Sequence, residues 1–398
     1  MFNCPHLPMK RILCIVLLII NYQLLIINSS KAQDTSHLRI SLLTCTPGEE
    51  LYSTFGHSAY RIVDSSRAFN DQWRDVVYNY GTFNFDDEGF YIKFVRGKLL
   101  YYVSAAEFEG FKYDYQSTNR GITEQVLNLS AAEKISMQQF LNENLKEENK
   151  YYKYDFFLDN CTTRLRDILK KQHDSSFCKK PVMPAGSRFR QAIHQYLDRN
   201  GKYWSKLGID ILLGQPCDIV MTAEQMQFLP DNLMISLDSS IVPVVTSKEN
   251  LYSIQEDNNK NSFFTPLVVF SLLLIIIVAL GFIKNKYVQG FMQGFDGLFF
   301  FITGALGIIL ILMWTGTDHT MCKNNFNLLW AWPTHFITAF FVNSKKVWVR
   351  NYFRFTSVAL ILVLLAWFFL PQQMNNGLLP IVLLLLYKSA TKAFTTMV

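Results

Sequence analysis

The chain has 398 residues, of which 50% are hydrophobic, 15% aromatic and only 18% charged. That is too few charges for an ordinary soluble protein, and the length exceeds what one small core organises. The formal net charge of +6 comes without a Lys/Arg run or basic stripe, which argues against a nucleic-acid partner and for charge flanking membrane segments.

Residues 1–32 read as a secretory signal. Lys10 and Arg11 precede an apolar stretch over 12–27, broken only at Asn21, Tyr22 and Gln23, and Ser30-Lys31-Ala32 supplies a small-x-small cleavage site. The alternative is an uncleaved N-terminal anchor. Either way, residues 33–262 are expected outside the cytoplasm. Of the seven cysteines, Cys45, Cys161, Cys178, Cys217 and Cys322 lie beyond the signal. An odd number in an oxidising compartment leaves at least one free thiol, and Cys178 with Cys217 is a candidate disulfide. No CxxC or Cys/His spacing suggests zinc, so neither a metal nor a cofactor is expected.

Residues 38–43 and 55–63 read as strands around the Thr46-Pro47-Gly48 turn, and 75–83 as a third strand, giving one sheet with His57 near its middle. The stretch FYIKFVRGKLLYY, residues 90–102, interleaves Lys93, Arg96 and Lys98 with large apolar residues. It reads first as a half-buried helix and strand; the alternative is a surface resting on anionic headgroups. Residues 122–129 read as a strand, and Ser130 with Glu133 as a capping box opening a helix to about Lys146.

In 151–171, YYKYDFFLDNCTTRLRDILKK, an aromatic run gives way to a helix. Leu165, Ile168 and Leu169 form its apolar stripe, and Asp159 and Asn160 are good N-cap residues. Cys161 therefore sits in the first turn, where free N–H groups, the dipole and nearby Arg164 and Arg166 favour a thiolate. Further helices are expected around 187–199 and 223–229, then a polar linker over 247–262.

Beyond the linker come five hydrophobic segments, near 264–283, 295–315, 328–343, 356–371 and 377–390, several close to the ~20 residues that span a bilayer. Lys284 and Lys286, then Lys345, Lys346, Arg350 and Arg354, then Lys388 and Lys392 fall in alternate loops. This charge pattern puts the soluble domain outside and the C-terminus in the cytoplasm. Asp318, His319, Asn324 and Asn325 then face the same side as the soluble domain, in a loop that is either a plain connector or part of the site.

A cysteine nucleophile needs a histidine base, and that histidine an orienting acceptor. His37 is near a frayed start, and His173 and His194 lie on or after helices. His57 alone sits on a strand, after a glycine that permits close backbone approach.

At this point the chain resembles known families. FGHSAYRIV, VVYNYG and the later DNC at a helix start resemble the circularly permuted papain-like fold of lecithin:retinol acyltransferase and its relatives. LLTCTPGEELYSTFGHSAYRI, VVYNYGTFNF, FVRGKLLYYVS, YYKYDFFLDNCTTRLRDIL and the outer loop leading into LLWAWPTH resemble the Lnb-type membrane proteins, through nearly the whole chain. The resemblance implies an α+β, permuted papain-like extracytoplasmic domain (33–246), a linker (247–262) and an all-α bundle of about five transmembrane helices (263–398). It also implies lipoprotein N-acylation, in which an acyl chain passes from a phospholipid, through a Cys161 thioester, to the α-amine of a diacylated lipoprotein. Cys161 carries over as nucleophile and His57 as base. Asn79 is the orienting residue, with Tyr78 or Tyr80 in its place if the register slips by one. The retinol-acyltransferase pattern has histidine at that third position. Tyr80, Asn160, Tyr154 and His319 are expected to contact substrate, and Tyr151, Tyr152, Phe156 and Phe157 to line a path from the bilayer. The implied location is the inner membrane with the catalytic domain in the periplasm. The runner-up is a membrane-anchored periplasmic cysteine hydrolase acting on cell-wall or peptide substrates.

Overall fold

The computed structural model describes residues 34–69, 72–254 and 263–394. The expected signal therefore lies outside the described residues. The first domain is built on a seven-stranded sheet in the order β6-β4-β3-β2-β1-β5-β7. Its strands are β1 (Leu38–Cys45), β2 (His57–Phe69), β3 (Gln72–Thr82), β4 (Leu100–Glu107), β5 (Ile122–Leu127), β6 (Tyr151–Lys153) and β7 (Val245–Tyr252). Every neighbouring pair is antiparallel.

The helices of this domain are α1 (Phe90–Val95), α2 (Phe108–Ser117), α3 (Ala131–Asn144), α4 (Cys161–Gln172), α5 (Phe189–Arg199), α6 (Tyr203–Leu212) and α7 (Pro230–Asp238). Alternation along β1 and β2 sends Leu38, Ile40, Leu42, Tyr60 and Ile62 to one face, where they meet Met137 and Leu141 of α3, the stripe of α4 and Leu233 of α7. The other face sends Leu43, Cys45, Ala59 and Val77 against Phe108, Phe111 and Tyr115 of α2. With both faces covered, the sheet is the middle layer of an α+β domain.

The expected capping box holds at α3. Ser130 accepts from the Glu133 N–H, and the Glu133 carboxylate accepts from the Ser130 N–H at 2.7 Å. The expected stripe of α4 is Leu165, Ile168 and Leu169, exposed by 0, 6 and 1%. At ~1.5–3 kcal/mol for each such side chain, that burial rather than propensity fixes the helix on the sheet. The Tyr60 hydroxyl adds a 2.7 Å bond to the Leu165 carbonyl.

Two expectations are corrected. Residues 247–252, expected as linker, belong to β7, which pairs with β5 at the sheet edge. A mostly exposed edge strand needs no apolar face, so its polar sequence carries no strand signal. Cys178 and Cys217, the candidate disulfide, are both free and lie in different clusters.

The C-terminal part contains α8 (Pro266–Gly281), α9 (Lys286–Thr315), the short α10 (Thr334–Thr338), α11 (Val347–Ala366) and α12 (Leu379–Phe394). Among the described residues three stretches are long and apolar enough to cross a membrane: Lys286–Thr315, Val347–Ala366 and Asn376–Phe394. The third expected segment is not a continuous helix but short turns running beside α9. The Ala331 carbonyl lies against Gly307, Phe336 against Gly304, and Asn343 bonds the Gln293 carbonyl at 3.3 Å. From Gly307 to Gln293 is about 21 Å of helix, so the broken segment follows α9 through most of a bilayer. Pro333 interrupts it, and the missing side chains of Gly304 and Gly307 let the two backbones touch.

The two parts are joined at the outer ends of these helices. Gly214 N–H donates to the Met321 carbonyl at 2.8 Å, Asn325 Nδ2 to Ile211 at 2.8 Å and Gln372 Nε2 to Leu213 at 3.1 Å. Beneath these contacts Arg190 is wholly buried, bonding Asp210 and Asp218 at 2.9 Å each and the carbonyls of Leu213 and Gly214. Asp210 also accepts from Asn375 Nδ2 of the membrane part at 2.8 Å.

Candidate active site

Cys161 is the first residue of α4. Its helix start is held by Asn160, whose Oδ1 accepts from the Thr163 N–H at 2.8 Å while Thr163 Oγ1 accepts from the Asn160 N–H at 2.8 Å. Asn160 Nδ2 donates to the carbonyls of Phe156 and Phe228 at 2.7 and 2.8 Å. Only 3% exposed and with both side-chain ends engaged, Asn160 holds the helix start that carries the thiol. The cap satisfies the Thr163 N–H; those of Cys161 and Thr162 are first-turn donors without intrahelical acceptors.

His57 opens β2 and pairs with Cys45 of β1. Its Nε2 lies 3.2 Å from Asn79 Oδ1 on β3. Because an amide oxygen only accepts, Nε2 carries the proton and Nδ1 is free for the thiol. Tyr60 pairs with Tyr78, and extending that register sets Ala59 opposite Asn79, so His57 and Asn79 share a face. Tyr78 instead bonds Asn142 at 2.8 Å, and Tyr80 lies 1% exposed in the core against Tyr152. Asn79, not either tyrosine, meets the imidazole.

The electrostatics single out one thiol. Burial pushes Cys45 up to about 12 and Cys178 up to about 11, and it raises Cys217 and Cys322 as well. Burial also works against ionisation of Cys161, but there the His57 charge and hydrogen bond, the Ser58 N–H and the Thr162 hydroxyl outweigh it and hold the thiol down to about 7. Ser58 Oγ and Thr162 Oγ1 lie 3.1 Å apart, tying the strand start to the helix start. Among the described cysteines Cys161 is also the one that is partly exposed. Low pKa with access is the signature of a nucleophile.

Gly81 makes room beside it. With φ of +89°, it sits where the β3–β4 register shifts between Asn79 and Thr82. A methyl group there would stand 3.5 Å from the Tyr154 ring and 3.7 Å from the Cys161 β-carbon. Tyr154 also lines a cleft of about 330 Å³ with Gly97, Lys153, Asp155, Asp318 and His319. The cleft joins the two parts of the chain: Lys153 pairs with Asp318 at 3.1 Å, and Thr320 donates to Asp155 Oδ2 at 3.1 Å. His319 Nε2 sits 3.1 Å from the Phe94 carbonyl, at the cleft rim.

Among the expected site residues, then, the structure brings Cys161, His57 and Asn79 together, sets Tyr154 beside them and His319 across the cleft, and spends Tyr80 and Asn160 on the core. Of the expected path, Tyr152 and Phe157 are buried in separate clusters and Phe156 packs on Phe55 at 4.7 Å. His173 and His194 are held by Glu133 and Asp210, each at 2.8 Å. Gly81, Ser58, Thr162 and the cleft charges Lys153 and Asp155 carry no site signal in the sequence, although the loop holding Asp318 and His319 does; the Ser beside the histidine in GHS is the available hint.

Residues 28–188 match the family model described as the Lnb N-terminal periplasmic domain, and residues 258–397 the one described as the Lnb transmembrane domain. No curated protein and no solved structure matches the chain. The match of both domains, in order, on a periplasmic domain joined to membrane helices means that the chain belongs to the Lnb family.

Proposed function

We propose that this protein is a lipoprotein N-acyltransferase working through a thioester on Cys161. The observation that carries the reading is the thiol held down to about 7 beside a histidine that Asn79 orients, next to a cleft shared with the membrane part. The Cys161 thiolate attacks the ester carbonyl of a phospholipid, forming the C–S bond. The resulting oxyanion faces the N–H groups of Cys161 and Thr162. Collapse breaks the ester C–O bond, and the His57 imidazolium gives its proton to the departing alkoxide, releasing lysophospholipid. The α-amine of a diacylated lipoprotein then attacks the thioester while His57 takes its proton. The amide C–N bond forms, the C–S bond breaks and the thiolate returns. Tyr154 and His319 are the residues we place against substrate.

Two lipid substrates explain why a catalytic domain is bonded to several membrane helices; a hydrolase of soluble peptides needs one anchor. The test is mass analysis of lipoprotein N-termini in cells with the gene, without it and with Cys161→Ala. The expected result is N-acylated termini only with the intact gene. Unchanged N-acylation in its absence, in cells lacking another acyltransferase, would remove the reading, and hydrolysed cell-wall peptides in its place would favour the hydrolase.

A further inference from the structure

The segment around α1 is poorly buried for its composition. Of its six residues only Phe90 is buried, while Tyr91, Ile92, Phe94 and Val95 are 78, 67, 50 and 52% exposed, and neighbouring Phe85 is 62% exposed. A helix on a water-facing surface turns such residues inward, and a contiguous apolar patch marks an interaction surface.

The contacts of this segment fix its depth. The Asp318 N–H donates to the Arg96 carbonyl at 2.9 Å, and His319 bonds the Phe94 carbonyl at 3.1 Å. Asp318 follows Thr315, the last residue of the 30-residue membrane helix α9, by three positions. Three residues reach at most about 10 Å, and the interfacial layer on each side of the ~30 Å hydrocarbon is some 5–8 Å thick. The end of α9 is likewise apolar and exposed, Ile311 by 41% and Leu312 by 57%. Exposed Arg96 and Lys98 follow the apolar turn, the order of apolar and cationic residues that suits a bilayer surface.

An aromatic wall leads inward from the patch. Phe90 and Phe83 have ring centres 5.9 Å apart, Phe83 and Tyr101 5.3 Å, and Tyr101 stacks on Tyr154 at 4.4 Å. Tyr154 and Cys161 both border Gly81, 3.5 and 3.7 Å from where a methyl group there would stand.

We propose that α1 and its flanking turns are seated in the outer leaflet of the membrane and that this aromatic wall guides a lipid acyl chain from the leaflet to Cys161. The second clause rests on the acyltransferase reading; the first does not. The amphipathic reading of FYIKFVRGKLLYY thus becomes a surface whose partner is the bilayer itself.

The test uses the full chain in nanodiscs of phosphatidylcholine with brominated or unbrominated tails. Ile92→Trp adds an emitter on α1. Ile135→Trp adds one on α3, next to Lys134, which pairs with Asp34 at the opposite end of β1. The expected result is that bromolipid quenches the added emission of Ile92→Trp and leaves that of Ile135→Trp unchanged. Equal emission in both lipids for Ile92→Trp would overturn the seating, including the case of a blue-shifted but unquenched signal, which would mean that a protein covers the face. This measurement needs no acyl transfer, so it stands or falls apart from the acyltransferase reading. The guidance is read separately: Tyr91→Asp with Ile92→Asp should slow acylation of Cys161 by bilayer phospholipid about tenfold or more. Wild-type speed in that variant would overturn the guidance.

Discussion

His57 Nε2 and Asn79 Oδ1 face each other at 3.2 Å across neighbouring strands, and this bond sets which imidazole nitrogen is left for Cys161. Replacing Asn79 by Ala frees the ring to rotate and to take the other tautomer. Turnover should fall on the order of 10²-fold, toward the full value of a general base, while thermal stability stays near that of the wild type. Asn79→Asp, which keeps an acceptor oxygen, should recover most of the loss. Equal damage from Ala and Asp would mean that Asn79 supports the sheet and does not orient the base.

The thiol makes a pH prediction. With Cys161 lowered from 9.0 to about 7, its alkylation by iodoacetamide should climb as pH rises through about 7 and level off above it. Below that point the thiol is protonated and reactivity drops about tenfold per pH unit. His57→Ala removes the largest lowering influence and leaves burial, so the midpoint should move up, past the ordinary thiol value. A midpoint unmoved by His57→Ala would separate the two residues.

Gly81→Ala tests the space beside the thiol. At φ of +89° an alanine costs about 1–2 kcal/mol in backbone strain, and its methyl group would sit 3.7 Å from the Cys161 β-carbon. The melting temperature should drop modestly and turnover more than stability explains. A variant that loses stability alone would show that the room near Gly81 has no part in turnover.

Arg190→Met tests the joint between the two parts. Arg190 is wholly buried between Asp210 and Asp218, and removing it leaves two buried carboxylates without their cation. A loss of ~3–5 kcal/mol is expected, read as a large fall in melting temperature in detergent. The exposed Lys153–Asp318 pair bridges the same two parts, yet Asp318→Asn should leave the melting temperature near that of the wild type, because water and salt screen the pair.

How much of this was legible in the sequence depended on the physics at each position. The α4 stripe and its Asn160 cap were readable because burial and capping are local and periodic. His57 was found by eliminating other histidines, and the structure gives a reason those were poor candidates: Glu133 and Asp210 already hold His173 and His194. The orienting residue was readable only to within a register slip, since one step along β3 exchanges Asn79 for a core tyrosine. The sequence cannot show that the carbonyls of Phe156 and Phe228 occupy the Asn160 amide. The polar edge strand β7 and the broken third membrane segment carry no clear period. The cleft was beyond reach, because its walls at Lys153 and Asp318 are 165 residues apart.

The thioester mechanism requires that Cys161 carry the acyl chain. The direct measurement is the intact mass of the purified full chain after incubation with phospholipid alone, followed by peptide mapping. One acyl adduct is expected on the Cys161 peptide, removed by hydroxylamine, transferred on adding an S-diacylglyceryl-cysteine peptide, and absent from Cys161→Ala. No adduct on the wild type, together with full N-acylation by Cys161→Ala, would contradict it.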